Sequence, residues 1–164
     1  YRPECRVELL VPDLQGSHEA LSTILMAKPE IFGHNLETVP RLYPLARAGA
    51  DYQRSLDLLA AAAQAAPDIP TKSGLMLGMG ETMDEIPTVM QDLQQAGCRM
   101  LTLGQYLQPT RHHLPVVRYV EPSEFSSLRD IGLQLGFAHV EAGPLVRSSY
   151  HAAEQFEGDS DEHS

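Results

Sequence analysis

Glycines fall at positions 74, 78 and 80 in the run Gly74-Leu75-Met76-Leu77-Gly78-Met79-Gly80-Glu81, and no Lys-Ser/Thr pair follows them. That order matches neither the G-x-G-x-x-G dinucleotide fingerprint nor a phosphate-cradling loop. Bare backbone on an apolar strand instead accommodates a flat ligand lying against it. A tight strand-to-helix turn, with Glu81 at the helix N-terminus, accounts for the same residues. A second cluster, Arg147-Ser148-Ser149-Tyr150-His151, sets hydroxyls beside a cation and an imidazole. Adjacent positions have the wrong geometry for a nucleophilic triad, and no G-x-S-x-G elbow surrounds them. A serine oxygen ligating a metal centre, with the arginine stabilising its charge, is the other chemistry this composition allows.

His112 and His113 are neighbours, so they point apart, and no carboxylate stands at ligand spacing. Zinc is not expected there; surface or substrate contact is. Arg111 and Arg118 flank the pair and suit a carboxylate or phosphate group, or serve as solvated loop charges. Cys5 and Cys98 are the chain's two cysteines. Their separation excludes a disulfide framework and any all-cysteine metal or cluster site made within this chain. A reducing, cytoplasmic compartment is the corresponding expectation.

Positioning these groups requires elements, and apolar strand-like runs alternate with amphipathic helix-like ones. Strands are expected over Val7–Val11, Ile31–Asn35, Thr71–Gly78, Met100–Leu107 and Ala138–Ala142. Ser17 can cap a first helix carrying Leu21, Ile24 and Leu25, and a second runs from about Asp51 to Pro67. Thr82 and Glu85 read as a capping box ahead of Ile86, Val89, Met90 and Leu93, with Gly97 as the stop. A last helix spans about Ser123 to Leu135, closed by Gly136. Residues 108–122 read as loop. Four to five β/α units in series fit an open doubly wound sheet or an arc of a β/α barrel, a whole barrel needing about 250 residues.

In both architectures the working face lies at the carboxyl ends of the strands. The residues just past them are Asp13 and Gln15; His34, Asn35 and Glu37; Gly78 to Glu81; Gln105, Tyr106 and Gln108; and Arg147 to His151. The chain of 164 residues carries 12 Lys+Arg against 22 Asp+Glu, a formal charge of −10, which argues against broad binding of a nucleic-acid backbone. No apolar run approaches the roughly 18 residues that span a bilayer, and the opening residues do not read as a secretory signal. Beginning at Tyr1 rather than Met, the chain is expected to derive from something longer. Residues 1–152 are expected to form the folded part and 153–164 an acidic, disordered tail.

Five blocks resemble lipoyl synthase in the family's order and spacing: Val7–Asp13, Gly33-His34-Asn35-Leu36-Glu37-Thr38-Val39-Pro40-Arg41, Thr71–Gly74, Leu101–Pro109, and Gly143-Pro144-Leu145-Val146-Arg147-Ser148-Ser149-Tyr150-His151-Ala152. The resemblance implies a radical S-adenosylmethionine enzyme and a partial (β/α) barrel, of which this chain supplies later β/α units. The implied reaction inserts two sulfurs at carbons six and eight of an octanoyl chain on a carrier lysine. One [4Fe–4S] cluster cleaves S-adenosylmethionine to a 5′-deoxyadenosyl radical, and a second, auxiliary cluster donates the sulfur. The implied partners are octanoylated lipoyl-carrier domains, those of dehydrogenase-complex acyltransferases and of the glycine cleavage carrier protein. Carried over by position, Asn35, Glu37, Gly74, Gly78, Glu81 and Leu107 would contact S-adenosylmethionine. Ser149, with Ser148 as fallback and Arg147 in support, would ligate the auxiliary cluster. Arg111, His112, His113 and Arg118 would face the carrier lysine.

The CxxxCxxC run of the superfamily and the family's second three-cysteine set do not occur in this sequence. A [4Fe–4S] cluster needs cysteine thiolates, so the expectation is a C-terminal portion of a family member, inert by itself and marginally stable at its outer strands. Two alternatives stand behind it: a non-catalytic module that binds a lipoyl-carrier domain, and an unrelated β/α hydrolase using the Ser-His pair.

Overall fold

The computed structural model describes residues 6–147, so Cys5, Ser148, Ser149 and the acidic stretch 153–164 lie outside the described residues. Five parallel strands form one sheet: β1 (Glu8–Leu10), β2 (Ile31–Gly33), β3 (Thr71–Leu77), β4 (Met100–Gln105) and β5 (His139–Gly143). Their spatial order is their chain order. Between them run helices α1 (His18–Met26), α2 (Tyr43–Ala46), α3 (Tyr52–Ala65), α4 (Glu85–Gln95) and α5 (Pro122–Gln134).

The strand order decides between the two architectures. A doubly wound sheet reverses direction at a switch point and carries helices on both faces. Here every crossover steps one strand in the same direction, and right-handed crossovers then place the helices on one face. The chain is α/β, with the sheet arrangement of a β/α-barrel arc.

Alternation along the strands sorts the two faces. Leu75, Leu77, Leu101, Leu103 and Val140 point toward the helices and meet Leu59, Ile86, Val89, Met90, Leu93, Phe125 and Leu128 in the main core. A smaller cluster joins Phe32 to Leu21, Leu58 and Ala62 under α1 and α3. Burying side chains of this size contributes roughly 1.5–3 kcal/mol each, which holds the helical layer down. The opposite, inner face presents Lys72, Gly74 and Met76 from β3 and Thr102 and Gly104 from β4, in register across the sheet. Lys72 is buried there and pairs with Glu8 at 3.1 Å.

Local chemistry explains most element ends. Ser17 Oγ accepts from Ala20 N–H and Asp51 Oδ1 from Arg54 N–H, so both cap their helices. Gly97 (φ +79°) and Gly136 (φ +97°) end α4 and α5 in a conformation that favours glycine. Three expectations are corrected. The capping box at α4 is half formed: Glu85 accepts from Thr82 N–H at 2.7 Å, but the Thr82 hydroxyl also turns to Glu85. The helix therefore starts at Glu85, after a turn. Glu121, expected in loop, forms a full capping box with Glu124, so α5 starts at Pro122 rather than about Ser123. Finally, β2 stops at Gly33 rather than Asn35, because pairing with β3 breaks there.

Candidate functional site

A cavity of about 290 Å³ opens on the inner face, lined among others by Asn35, Glu37, Gly74, Met76, Thr102 and Arg147. Its floor is the backbone of β3 and β4. A Cβ at Gly74 would come within 2.8 Å of Thr102 Oγ1 and 2.9 Å of Asn35 Oδ1. At Gly104 a Cβ would run into the Val146 carbonyl oxygen, so the turn after β5 lies directly over that glycine. Glycine at 74 makes room for the Thr102 hydroxyl and the Asn35 amide, and glycine at 104 lets the chain after β5 close one side.

The wall beside Gly74 comes from the segment after β2. His34 N–H still donates to Lys72 O, but pairing resumes only at Glu37, whose N–H donates to Gly74 O at 2.9 Å and whose carbonyl accepts from Met76 N–H at 2.8 Å. One extra residue is accommodated on the β2 side, a β-bulge. Glu37 takes φ +70°, unusual for a residue with a side chain. Leu36 enters the core fully buried, while Asn35 and Glu37 face the cavity, with Asn35 Nδ2 donating to Glu37 Oε1 at 3.2 Å. Burial pushes the Glu37 carboxyl above its ordinary value; the Asn35 hydrogen bond and the Arg47 charge pull it partly back. A half-buried carboxylate paired with an amide is built to accept from hydroxyl or ammonium groups of a ligand.

Of the residues singled out from sequence, the structure brings Asn35, Glu37, Gly74 and Arg147 around this cavity. Gly78, Glu81 and Leu107 do not line it. Glu81 is turned back on its own loop, its carboxylate accepting from Gly78 N–H at 2.5 Å and Met79 N–H at 2.9 Å. Gly78 (φ +101°) packs against the Arg118 carbonyl and the Gln105 amide. Leu107 is largely exposed. Arg118 engages Glu124 through both guanidinium Nη atoms, at 2.7 and 3.1 Å. Arg111, His112 and His113 lie in an exposed turn, where the Thr110 hydroxyl meets His113 Nδ1 at 2.9 Å. Ser148 and Ser149 lie outside the described residues.

Thr102 was missed by the sequence reading. Its place beside Gly74 depends on the β3–β4 register, which is a tertiary fact. Gln105, flagged only as a polar residue after a strand, is a buried clamp. Its Nε2 donates to Tyr106 O and Arg118 O, and its Oε1 accepts from Val120 N–H. It thereby straps the 106–120 loop across the end of β3.

A bare floor, a carboxylate–amide pair and an open apolar side suit the nucleoside part of S-adenosylmethionine. The same residues do not suit an iron–sulfur cluster. Among the described residues no group of three or more His, Cys, Asp or Glu side chains could hold a metal ion. Cys98 is buried among the helices, where burial pushes its thiol up to about 12.

No family model matches the chain. Curated relatives do. The lipoyl synthase of Trichlorobacter lovleyi is 64% identical over 151 residues, 92% of this chain and 53% of that protein. That of Acidithiobacillus ferrooxidans is 61% identical over 155 residues, 94% of this chain and 49% of the relative. That of Aeromonas hydrophila is 54% identical over 160 residues, 97% and 50% respectively. The chain spans about half the length of the curated relatives it matches.

Proposed function

We infer from a chain that is homologous to the lipoyl synthases along nearly all of its own length that the inner-face cavity is one wall of a sulfur-insertion site. The whole protein's reaction is proposed to be insertion of two sulfurs into an octanoyl chain on a carrier-domain lysine, with octanoylated lipoyl-carrier domains as partners. S-adenosylmethionine, when bound, supplies the means of removing hydrogen from unactivated carbon. The chain's own residues bind and orient it. Gly74 lets the flat base approach the backbone of β3. Glu37 and Asn35 accept from, and donate to, the polar sugar and amino-acid portions. Met76 and the apolar floor keep water from that side. Arg111, His112 and His113, exposed beyond β4, are proposed to meet the carrier. Ser149, supported by Arg147, is proposed as an oxygen ligand to the auxiliary cluster.

The cysteine ligands of both clusters are not among this chain's residues, and no step is assigned to it through them. The cytoplasm, where thiols stay reduced, is the proposed location, and no described helix is long and apolar enough to cross a membrane. One observation carries the reading most directly: the inner-face cavity at Gly74, walled by Asn35, Glu37 and Thr102. Calorimetric titration with S-adenosylhomocysteine tests it. The unaltered chain is expected to bind and Gly74→Val to lose binding while keeping its circular dichroism spectrum. Equal binding by both would refute it.

A further inference from the structure

The break in pairing after β2 leaves carbonyl groups without partners in the sheet, and one cation serves them. From the Gly33–Lys72 pair to the Glu37–Leu75 bridge, the β2 side advances four residues while β3 advances three. Asn35 O is turned out of the ladder and accepts from Arg47 Nη1 at 2.9 Å. Leu36 O accepts from the Tyr43 hydroxyl at 2.8 Å and lies 3.4 Å from the same Arg47 nitrogen. Carbonyls withdrawn from water need donors: Leu36 O also accepts from Thr38 N–H at 2.9 Å, whereas Asn35 O takes its donor from Arg47, so the bulge leans on that side chain.

Arg47 is itself held in place. It follows α2, its guanidinium lies 5.5 Å from the Tyr43 ring centroid, and Nη1 reaches the Tyr43 hydroxyl at 3.3 Å. Tyr43 meets Tyr52 of α3 edge-on at 5.3 Å, and the Tyr52 hydroxyl donates to Asp92 of α4 at 2.7 Å. A chain of contacts thus runs from the helical layer to the back of the cavity wall. Glu37 is the group in front of that wall; Arg47 and Tyr43 act on it from behind, and Arg147 lines the same cavity.

We propose that Arg47 is a positioning residue for the nucleoside site, holding the bulge that turns Asn35 and Glu37 into the cavity. The ligand half of this proposal rests on the reading of the cavity given above; the conformational half does not. Arg47 never touches the ligand, and its influence passes through the backbone of Asn35 and Leu36.

The test compares this chain with Arg47→Met and Arg47→Lys. Amide exchange at Glu37 and Met76, whose N–H groups close the bulge, is expected to speed up about ten-fold or more in Arg47→Met, while Leu103 in β4 keeps its protection. Affinity for S-adenosylhomocysteine is expected to fall about ten-fold in Arg47→Met and to recover to within about three-fold in Arg47→Lys, which retains a charged donor. Exchange at Glu37 and Met76 that stays in step with Leu103, or unchanged affinity in Arg47→Met, would overturn the proposal. Failure of the unaltered chain to bind S-adenosylhomocysteine would overturn the nucleoside reading and the ligand half, while the exchange comparison still decides the bulge. Should Arg47→Met not fold, Arg47→Gln, which keeps donors without the charge, carries the same comparison.

Discussion

Glu37 concentrates two costs in one residue: a left-handed backbone and a carboxylate drawn out of water. Non-glycine residues held in that conformation cost of order 1–3 kcal/mol and persist where the surroundings over-determine them. Here the two backbone hydrogen bonds to β3 and the Leu36 side chain in the core do so. The carboxyl value is raised above its ordinary 4.5. Its folded form therefore binds a proton more tightly than its unfolded form. The resulting stabilisation is fully present below the ordinary value and is lost as pH rises through the folded one. Replacing the group with the neutral isostere should recover what is lost. Glu37→Gln is expected to raise the urea midpoint at about pH 8 and to lose that advantage at about pH 4. A gain of equal size at both pH values would show that desolvation of the carboxylate is not its source.

Among the elements, the 106–120 loop and the Gly78 turn stabilise each other. Gly78 accepts the N–H groups of Val117 and, at longer range, Arg118 on its carbonyl, while Gln105 pins the far side of the loop. Gly78→Ala adds a methyl group toward the Arg118 carbonyl at a backbone angle that L side chains rarely adopt. It is expected to cost about 1–3 kcal/mol in urea unfolding, yet to leave S-adenosylhomocysteine affinity within about three-fold. Loss of binding in proportion to Gly74→Val would instead place Gly78 in the ligand site. Strands, helices and their order along the chain were legible in the sequence, because alternation, caps and stop glycines act over a few residues. The bulge was not legible. Nothing in Gly33-His34-Asn35-Leu36-Glu37 distinguishes a continuing strand from one that slips by a residue; the donors that permit the slip, Tyr43 and Arg47, come from α2 and just beyond it. The partners of Glu81 were equally illegible: two amides of its own turn, Gly78 and Met79, donate to its carboxylate.

For the molecule as a whole, chemistry and fold divide along the sheet. The helical side carries the apolar core that supplies cohesion, and the inner side carries ions, amides and bare glycine. Among the described residues, neither side gathers three or more His, Cys, Asp or Glu side chains that could hold a metal ion. With Cys98 inaccessible and Cys5 its sole companion in the sequence, incubation with iron and sulfide followed by desalting is expected to leave this chain colourless. A stable brown absorption would mean that ligands of another kind suffice. Comparison with the relatives agrees with the sequence on family, and the parallel sheet agrees with it on fold class. Strand order, which no local pattern contains, was what separated a barrel arc from a doubly wound sheet.

The Lys72–Glu8 pair reaches from β3 to β1 past Gly33, which offers no side chain in between. A three-residue edge strand joined to the sheet on one side would ordinarily fray first. Riveted across its neighbour, β1 can detach only by breaking this buried ion pair, so the margin of the sheet and its centre should come apart in a single event.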